Sequence, residues 1–336
     1  MPITTIIVAI IFLGILIIFH ELGHFITAKR VGIKVEEFAI GMGPKILGFK
    51  KGETAYSLRI LPIGGYVKMI GEDIKSDDRR AFNNQKVWKR FAVLSAGSLM
   101  NFVLAVIFIV ILVYNIGVPA SPVEIERVFE NTPAQRAGLM AGDKILLVEG
   151  IRVDTVNKFA EILNENWGDS IEIKVLRDNK ERDILLTLEP EAAERPMISI
   201  KYEKVSVFQA IGLGVREFFS IIRKMIVSLV LLIRDLFAGR AVDEVMGPVG
   251  IIGEIGKAFQ KGKLYLLRLG ALLSINLGVI NLVPFPALDG SRLVFLLVEG
   301  VRGKPIDQEK EGLIHFAGFV VLIALMIFIT YNDITR

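Results

Sequence analysis

His20-Glu21-Leu22-Gly23-His24 places two imidazoles four residues apart with a carboxylate between them. On a helix, positions i and i+4 share one face, with Cβ atoms about 5–6 Å apart, so both rings can reach one ion. The H-E-x-x-H spacing is that of a hydrolytic zinc site, with His20 and His24 as ligands and Glu21 as general base. Zinc acidifies a water molecule and the glutamate takes its proton. A catalytic zinc keeps three protein ligands and one open position. The chain has no cysteine, so the third ligand must be His, Asp or Glu. His315 opens a later apolar stretch and reads as an interfacial residue. Asp289 is the better candidate. It ends the run Asn281-Leu282-Val283-Pro284-Phe285-Pro286-Ala287-Leu288-Asp289 and precedes Gly290. The two prolines break a helix there, and broken backbone at membrane depth is tolerated only where protein or a wet cavity covers it.

The elements that must position these groups read as membrane helices. Of the 336 residues 52% are hydrophobic, and mean hydropathy is +0.53. That is too apolar for an ordinary soluble protein and too polar for one that is all membrane, so spans plus a water-soluble insert are expected. A span needs about 20 apolar residues. Residues 3–28, 91–118, 266–289 and 313–331 qualify. The first lacks a positive leading region and runs straight into the histidines, so it reads as a retained helix. Residues 205–238 are apolar overall but carry Arg216, Glu217, Arg223, Lys224, Arg234 and Asp235. They are expected to form an amphipathic helix lying on the membrane or against the bundle. The metal site depends on this: a crossing there would reverse the third span and put Asp289 about 30 Å from His20.

Residues 29–90 hold fourteen Lys/Arg against seven Asp/Glu. Such an excess marks the cytoplasmic side and puts the insert between spans two and three outside. Within residues 45–61 a β-hairpin is expected around Lys51-Gly52-Glu53, followed by Gly64-Gly65-Tyr66. The insert, residues 121–200, has strand-like runs at 171–176 and 184–188, a turn at Asp178-Asn179 and a helix near 156–166. The formal charge of +4 comes with no long basic run, and nothing suggests nucleic acid.

Taken together, His20–His24 in the first span, Gly97-Ser98-Leu99-Met100-Asn101 as G-x-x-x-N in the second, and N-x-x-P-x-P-x-L-D-G at 281–290 resemble the site-2 protease family. Its members are intramembrane zinc metalloproteases, and the likeness is to the bacterial type with a single PDZ domain. Ala137-Gly138-Leu139, Gly142-Asp143 and Ile145-Leu146 in the insert resemble a bacterial PDZ domain. The resemblance implies a polytopic α-helical membrane protein of about four transmembrane helices, with an inserted α+β PDZ domain and a small membrane-associated β-hairpin. Residues 1–120 form the first membrane core, 121–200 the PDZ domain, 201–240 the amphipathic helix and 241–336 the second core. It implies zinc held by His20, His24 and Asp289, with Glu21 as base. Asn281 would position substrate, and Gly64, Gly65 and Tyr66 would receive it as an added strand. Asn101 is read as a packing residue. The substrates implied are transmembrane segments of single-span proteins, such as an anti-sigma factor or signal-peptide remnants, in the lipid of the bacterial plasma (inner) membrane. Two rivals remain: a membrane-anchored PDZ scaffold that cuts nothing, and an H-E-x-x-H protease acting outside the bilayer through Glu299, Glu309 or Glu311.

Overall fold

The computed structural model describes residues 2–72, 74–189, 197–238 and 246–335. The chain divides into two compact units, residues 1–110 with 214–336, and Ile111–Leu213.

The first unit opens with α1 (Ile3–Val31). Its β-branched run would be a mediocre helix in water, but in lipid every backbone group must be satisfied within the segment. Gly32, at φ 87°, ends the helix, and Lys29 and Arg30 sit in the last turn, where the dipole favours cations. Strands β1 (Val35–Lys51) and β2 (Thr54–Met69) follow, longer than the 45–61 hairpin expected. The turn falls at Gly52, as expected, but pairing continues far beyond it. Phe38 pairs with both Tyr56 and Val67, and Ala39 with both Ser57 and Tyr66. Residues 37–40 therefore lie between 55–58 and 65–68, which leaves 65–68 as an outer strand.

Helix α2 (Val87–Ile116) is the second long apolar helix. The second unit then builds a sheet. Short β3 (Val118–Pro119) precedes β4 (Val123–Val128), α3 (Pro133–Arg136), β5 (Lys144–Val148), β6 (Ile151–Arg152) and α4 (Val156–Glu165). Next come β7 (Ser170–Arg177), β8 (Lys180–Thr187), β9 (Ile198–Ile200) and β10 (Tyr202–Glu203). Six strands form one sheet, ordered β8-β7-β5-β4-β9 with β6 on β5. Asp178 and Asn179 both take positive φ, the twist a two-residue hairpin needs. Thr155 caps α4, which lays Phe159 and Ile162 into the core. Asp143 is fully buried and paired through both oxygens with Arg177, at 2.6 and 2.7 Å. β10 pairs with β3, so the two ends of the unit meet.

The chain returns to the first unit along α5 (Val207–Phe237), continuous over 31 residues. Among the described residues, it is not one of the four helices long and apolar enough to cross a membrane. Those are α1, α2, α7 (Lys263–Leu282) and most of α9 (Gln308–Thr335). Between them lie α6 (Pro248–Lys261) and α8 (Asp289–Arg302), neither anticipated as a separate helix. The third span, expected over 266–289 with Pro284 and Pro286 breaking it, is helical over Lys263–Leu282 only, because the prolines cannot continue the helix. α9 exposes Phe316, Phe319, Val320, Leu325 and Phe328. A continuous apolar surface of that extent belongs in lipid, so the chain is a polytopic membrane protein with a sheet-containing region.

Candidate metal centre

His20 and His24 are both buried on one face of α1. Their Nε2 atoms are 3.1 Å apart. Asp289 Oδ2 lies 3.2 Å from His20 Nε2 and 3.3 Å from His24 Nε2. Among the described residues, these three form the group of His, Asp and Glu side chains close enough to share an ion.

The hydrogen bonds decide which atoms face the centre. His24 Nδ1 is 2.8 Å from the Val93 carbonyl, which only accepts, so Nδ1 carries the proton and Nε2 presents a lone pair. The Asn101 amide is 3.1 Å from His20 Nδ1. Asn101 is fully buried, and its Oδ1 has no hydrogen-bond partner in the orientation with nitrogen toward the ring. A half-turn exchanges the two amide atoms. Oδ1 then accepts the His20 Nδ1 proton, and His20 Nε2 also presents a lone pair. Two lone pairs and a carboxylate oxygen converging in a buried site need a cation among them. Tetrahedral zinc with bonds of about 2.0–2.1 Å sets neighbouring donors ~3.3 Å apart. The donor types and the 3.1–3.3 Å triangle fit zinc.

Helix crossings set this geometry. At Gly23 an added Cβ would lie 2.7 Å from the Ala96 carbonyl carbon, so α1 and α2 touch backbone to backbone. Gly97 lies beneath both rings. A Cβ there would stand 2.6 and 2.7 Å from His20 Cε1 and Nε2, and would meet His24 Nε2 still more closely. The glycine of G-x-x-x-N is thus required by the imidazoles. Ser274 on α7 donates to the Asn101 carbonyl at 2.8 Å, tying α7 to α2. Asp289 begins α8 directly after the proline-broken stretch, and Gly290 lets the chain fold back on Leu282, whose carbonyl oxygen an added Cβ would meet at 2.5 Å.

A cavity of about 170 Å³ opens beside the three donors, lined also by Glu21, Tyr66, Val67, Met69, Glu72 and Leu94. Gly65 lets the outer strand come up against Glu21, whose Cγ an added Cβ would meet at 3.1 Å. Of the expected substrate-contact residues, Tyr66 lines the cavity with its hydroxyl donated to Glu37 Oε2 at 2.8 Å. Gly64 takes a positive φ within β2 beside Met42, and Asn281 is half-buried near the end of α7; neither lines the cavity. Asn101 has a role the sequence did not reveal, because its reach to His20 depends on how α1 and α2 cross. The rival third ligands are placed elsewhere. Glu299 pairs with Arg90, Glu311 is 3.8 Å from His315 Nε2, and Glu309 is outside the cluster of donors.

Residues 8–325 match the family described as Peptidase family M50. The chain is 38% identical over 333 residues to a chain named as a putative zinc metalloprotease from Clostridium acetobutylicum, covering 98% of this chain and 97% of that one. It is 32% identical to the zinc metalloprotease RasP of Geobacillus kaustophilus, covering 97% of each. It is also 32% identical to the regulator of sigma-W protease RasP of Bacillus subtilis, covering 100% of this chain and 99% of that one. The match runs over nearly the whole chain, and residues 8–325 span the positions of His20, His24 and Asp289, so this chain belongs to peptidase family M50.

Proposed function

We propose that this chain is an intramembrane zinc metalloprotease that hydrolyses peptide bonds in the transmembrane segments of single-span proteins. The observation that carries this reading is the 3.1–3.3 Å triangle of His20, His24 and Asp289 on helices of a membrane bundle. These three residues would hold the zinc. Zinc, when bound, supplies Lewis acidity toward the scissile carbonyl and acidifies water.

The chain's own residues account for the rest. Glu21 accepts the proton of the attacking water on its carboxylate and delivers it to the departing amine nitrogen as the C–N bond breaks. Asn101 and the Val93 carbonyl hold the two imidazoles in one tautomer. A helical substrate hides its amides in its own hydrogen bonds, so it must unwind before cleavage. The outer strand 65–68 beside Glu21 supports addition of the unwound segment as a further strand, with Gly65 and Tyr66 nearest the reacting bond. Asn281 and Gly64 would act further along the substrate.

The site lies at the end of α1 nearest the basic stretch 29–90, so we place that stretch in the cytoplasm, the insert outside and the protein in a bacterial plasma membrane. The insert reads as a PDZ domain that excludes substrates still carrying a bulky outer portion. Its relative from Bacillus subtilis is named as a regulator of sigma-W protease. By that likeness an anti-sigma factor already trimmed outside the membrane is the substrate class we favour, with signal-peptide remnants second. The test is cleavage of a panel of single-span substrates by wild type and Glu21→Gln, with zinc measured on both. Glu21→Gln should keep its zinc and lose at least about a hundredfold in rate. Near-wild-type cleavage would remove Glu21 as the base.

A further inference from the structure

Asp289 is delivered by a stretch with no regular structure, residues 283–288, and that stretch needs holding. Within it Phe285 N–H reaches the Val283 carbonyl at 2.7 Å and Leu288 N–H the Phe285 carbonyl at 3.1 Å. Ala287 is different. It takes φ 78°, a conformation L side chains rarely adopt, and its N–H turns away from its neighbours. That N–H donates to His315 Nδ1, 28 residues downstream on α9, at 3.0 Å. The His315 side chain is largely buried, with the Phe295 ring edge-on at 5.9 Å. One turn later on α9, an added Cβ at Gly318 would stand 2.5 and 2.6 Å from the Pro286 carbonyl. His315 and Gly318 share a helix face, so α9 grips the broken stretch at two successive residues, Pro286 and Ala287.

We propose that His315 is a positioning residue for the metal centre: by accepting the Ala287 N–H it fixes the backbone that presents the Asp289 carboxylate. The physical case is the cost of the alternative. This N–H is part-buried, so without an acceptor it carries a desolvation penalty, and lipid offers no water to replace one. Without His315 Nδ1 the left-handed turn at Ala287 loses its compensation, and the stretch relaxes two residues before the carboxylate. The acceptor must be Nδ1, so the neutral ring carries its proton on Nε2, the side on which Glu311 lies. His315 touches neither substrate nor ion in this role.

The inference rests on Asp289 being a ligand, and the experiment separates the two. Zinc affinity of the purified full-length protein is measured by chelator competition, with kcat and KM on a single-span substrate, for wild type, His315→Leu, His315→Asn and Asp289→Ala. His315→Leu should weaken zinc binding by roughly tenfold or more and lower kcat with KM little changed. His315→Asn keeps an acceptor near the Nδ1 position and should recover most of the loss, which a purely space-filling role would not produce. Wild-type zinc affinity and kcat in His315→Leu would overturn the proposal, as would His315→Asn as defective as His315→Leu. Loss of zinc in Asp289→Ala alone, with His315→Leu unaffected, removes only the role of His315. Undiminished zinc in Asp289→Ala removes the ligand assignment and this role with it.

Discussion

Two residues outside the donor set decide whether the imidazoles can work. Gly97 is one. Any Cβ there would stand 2.6 Å from His20 Cε1, inside van der Waals contact, and making room for it would pull apart the close backbone packing of α2 against Gly23. Gly97→Ala should therefore lower zinc affinity by about tenfold or more while the helices stay formed. Metal content against circular dichroism checks it. Asn101 is the other. Asn101→Leu leaves the His20 Nδ1 proton with nothing to accept it, and outer partners of this kind are worth about 10–100-fold in metal affinity or activity. Asn101→Asp keeps an acceptor and should retain more zinc than Asn101→Leu. The motif spacing made the glycine and asparagine conspicuous, but their reason is a contact between residues on two helices, more than 70 positions apart in the chain.

At the scale of elements, the β1–β2 sheet carries its own electrostatic fastening. Burial pushes the Glu37 carboxyl up, but donors from Ser57, Arg59 and Tyr66 outweigh it and hold the pKa at about 2, below the ordinary 4.5. A depressed carboxyl stabilises the fold fully above its unfolded value and loses that contribution as pH falls toward the folded one. Between pH 4.5 and about 2 the sheet should loosen, and Tyr66, which lines the site, should lose its anchor. Amide exchange across residues 54–69 should rise through that window in wild type. In Glu37→Gln it should be faster at neutral pH and change less on acidification. The end of β2 is fastened a second way, by Glu72 against Arg292 on α8, one turn from Asp289. The strand beside Glu21 and the helix bearing the third donor are thus tied to each other.

At the scale of the molecule, all three donors and Glu21 come from the unit of residues 1–110 and 214–336, and none from Ile111–Leu213. Because β3 and β10 bring the ends of the insert together, a short linker can replace residues 121–200. The shortened protein should bind zinc as tightly as wild type. It should also cut single-span substrates whose outer portion has not been trimmed, measured against their trimmed forms. Equal exclusion of untrimmed substrates by both proteins would remove the filtering role. The sequence by itself determined the candidate ion-binding residue types, the long apolar helices and the sheet-rich insert. It could do so because helical spacing, hydrocarbon thickness and turn chemistry are local properties of the chain. It placed the end of the third span seven residues too late, and left α6, α8 and the doubled pairing of β1 unread. Those depend on which surfaces meet. Only the tertiary structure put Asp289 Oδ2 within 3.3 Å of two imidazoles 265 or more residues away, with Asn101 behind one ring and Gly97 beneath both. Distances between helices follow from the packing of whole faces, which no short stretch of sequence contains.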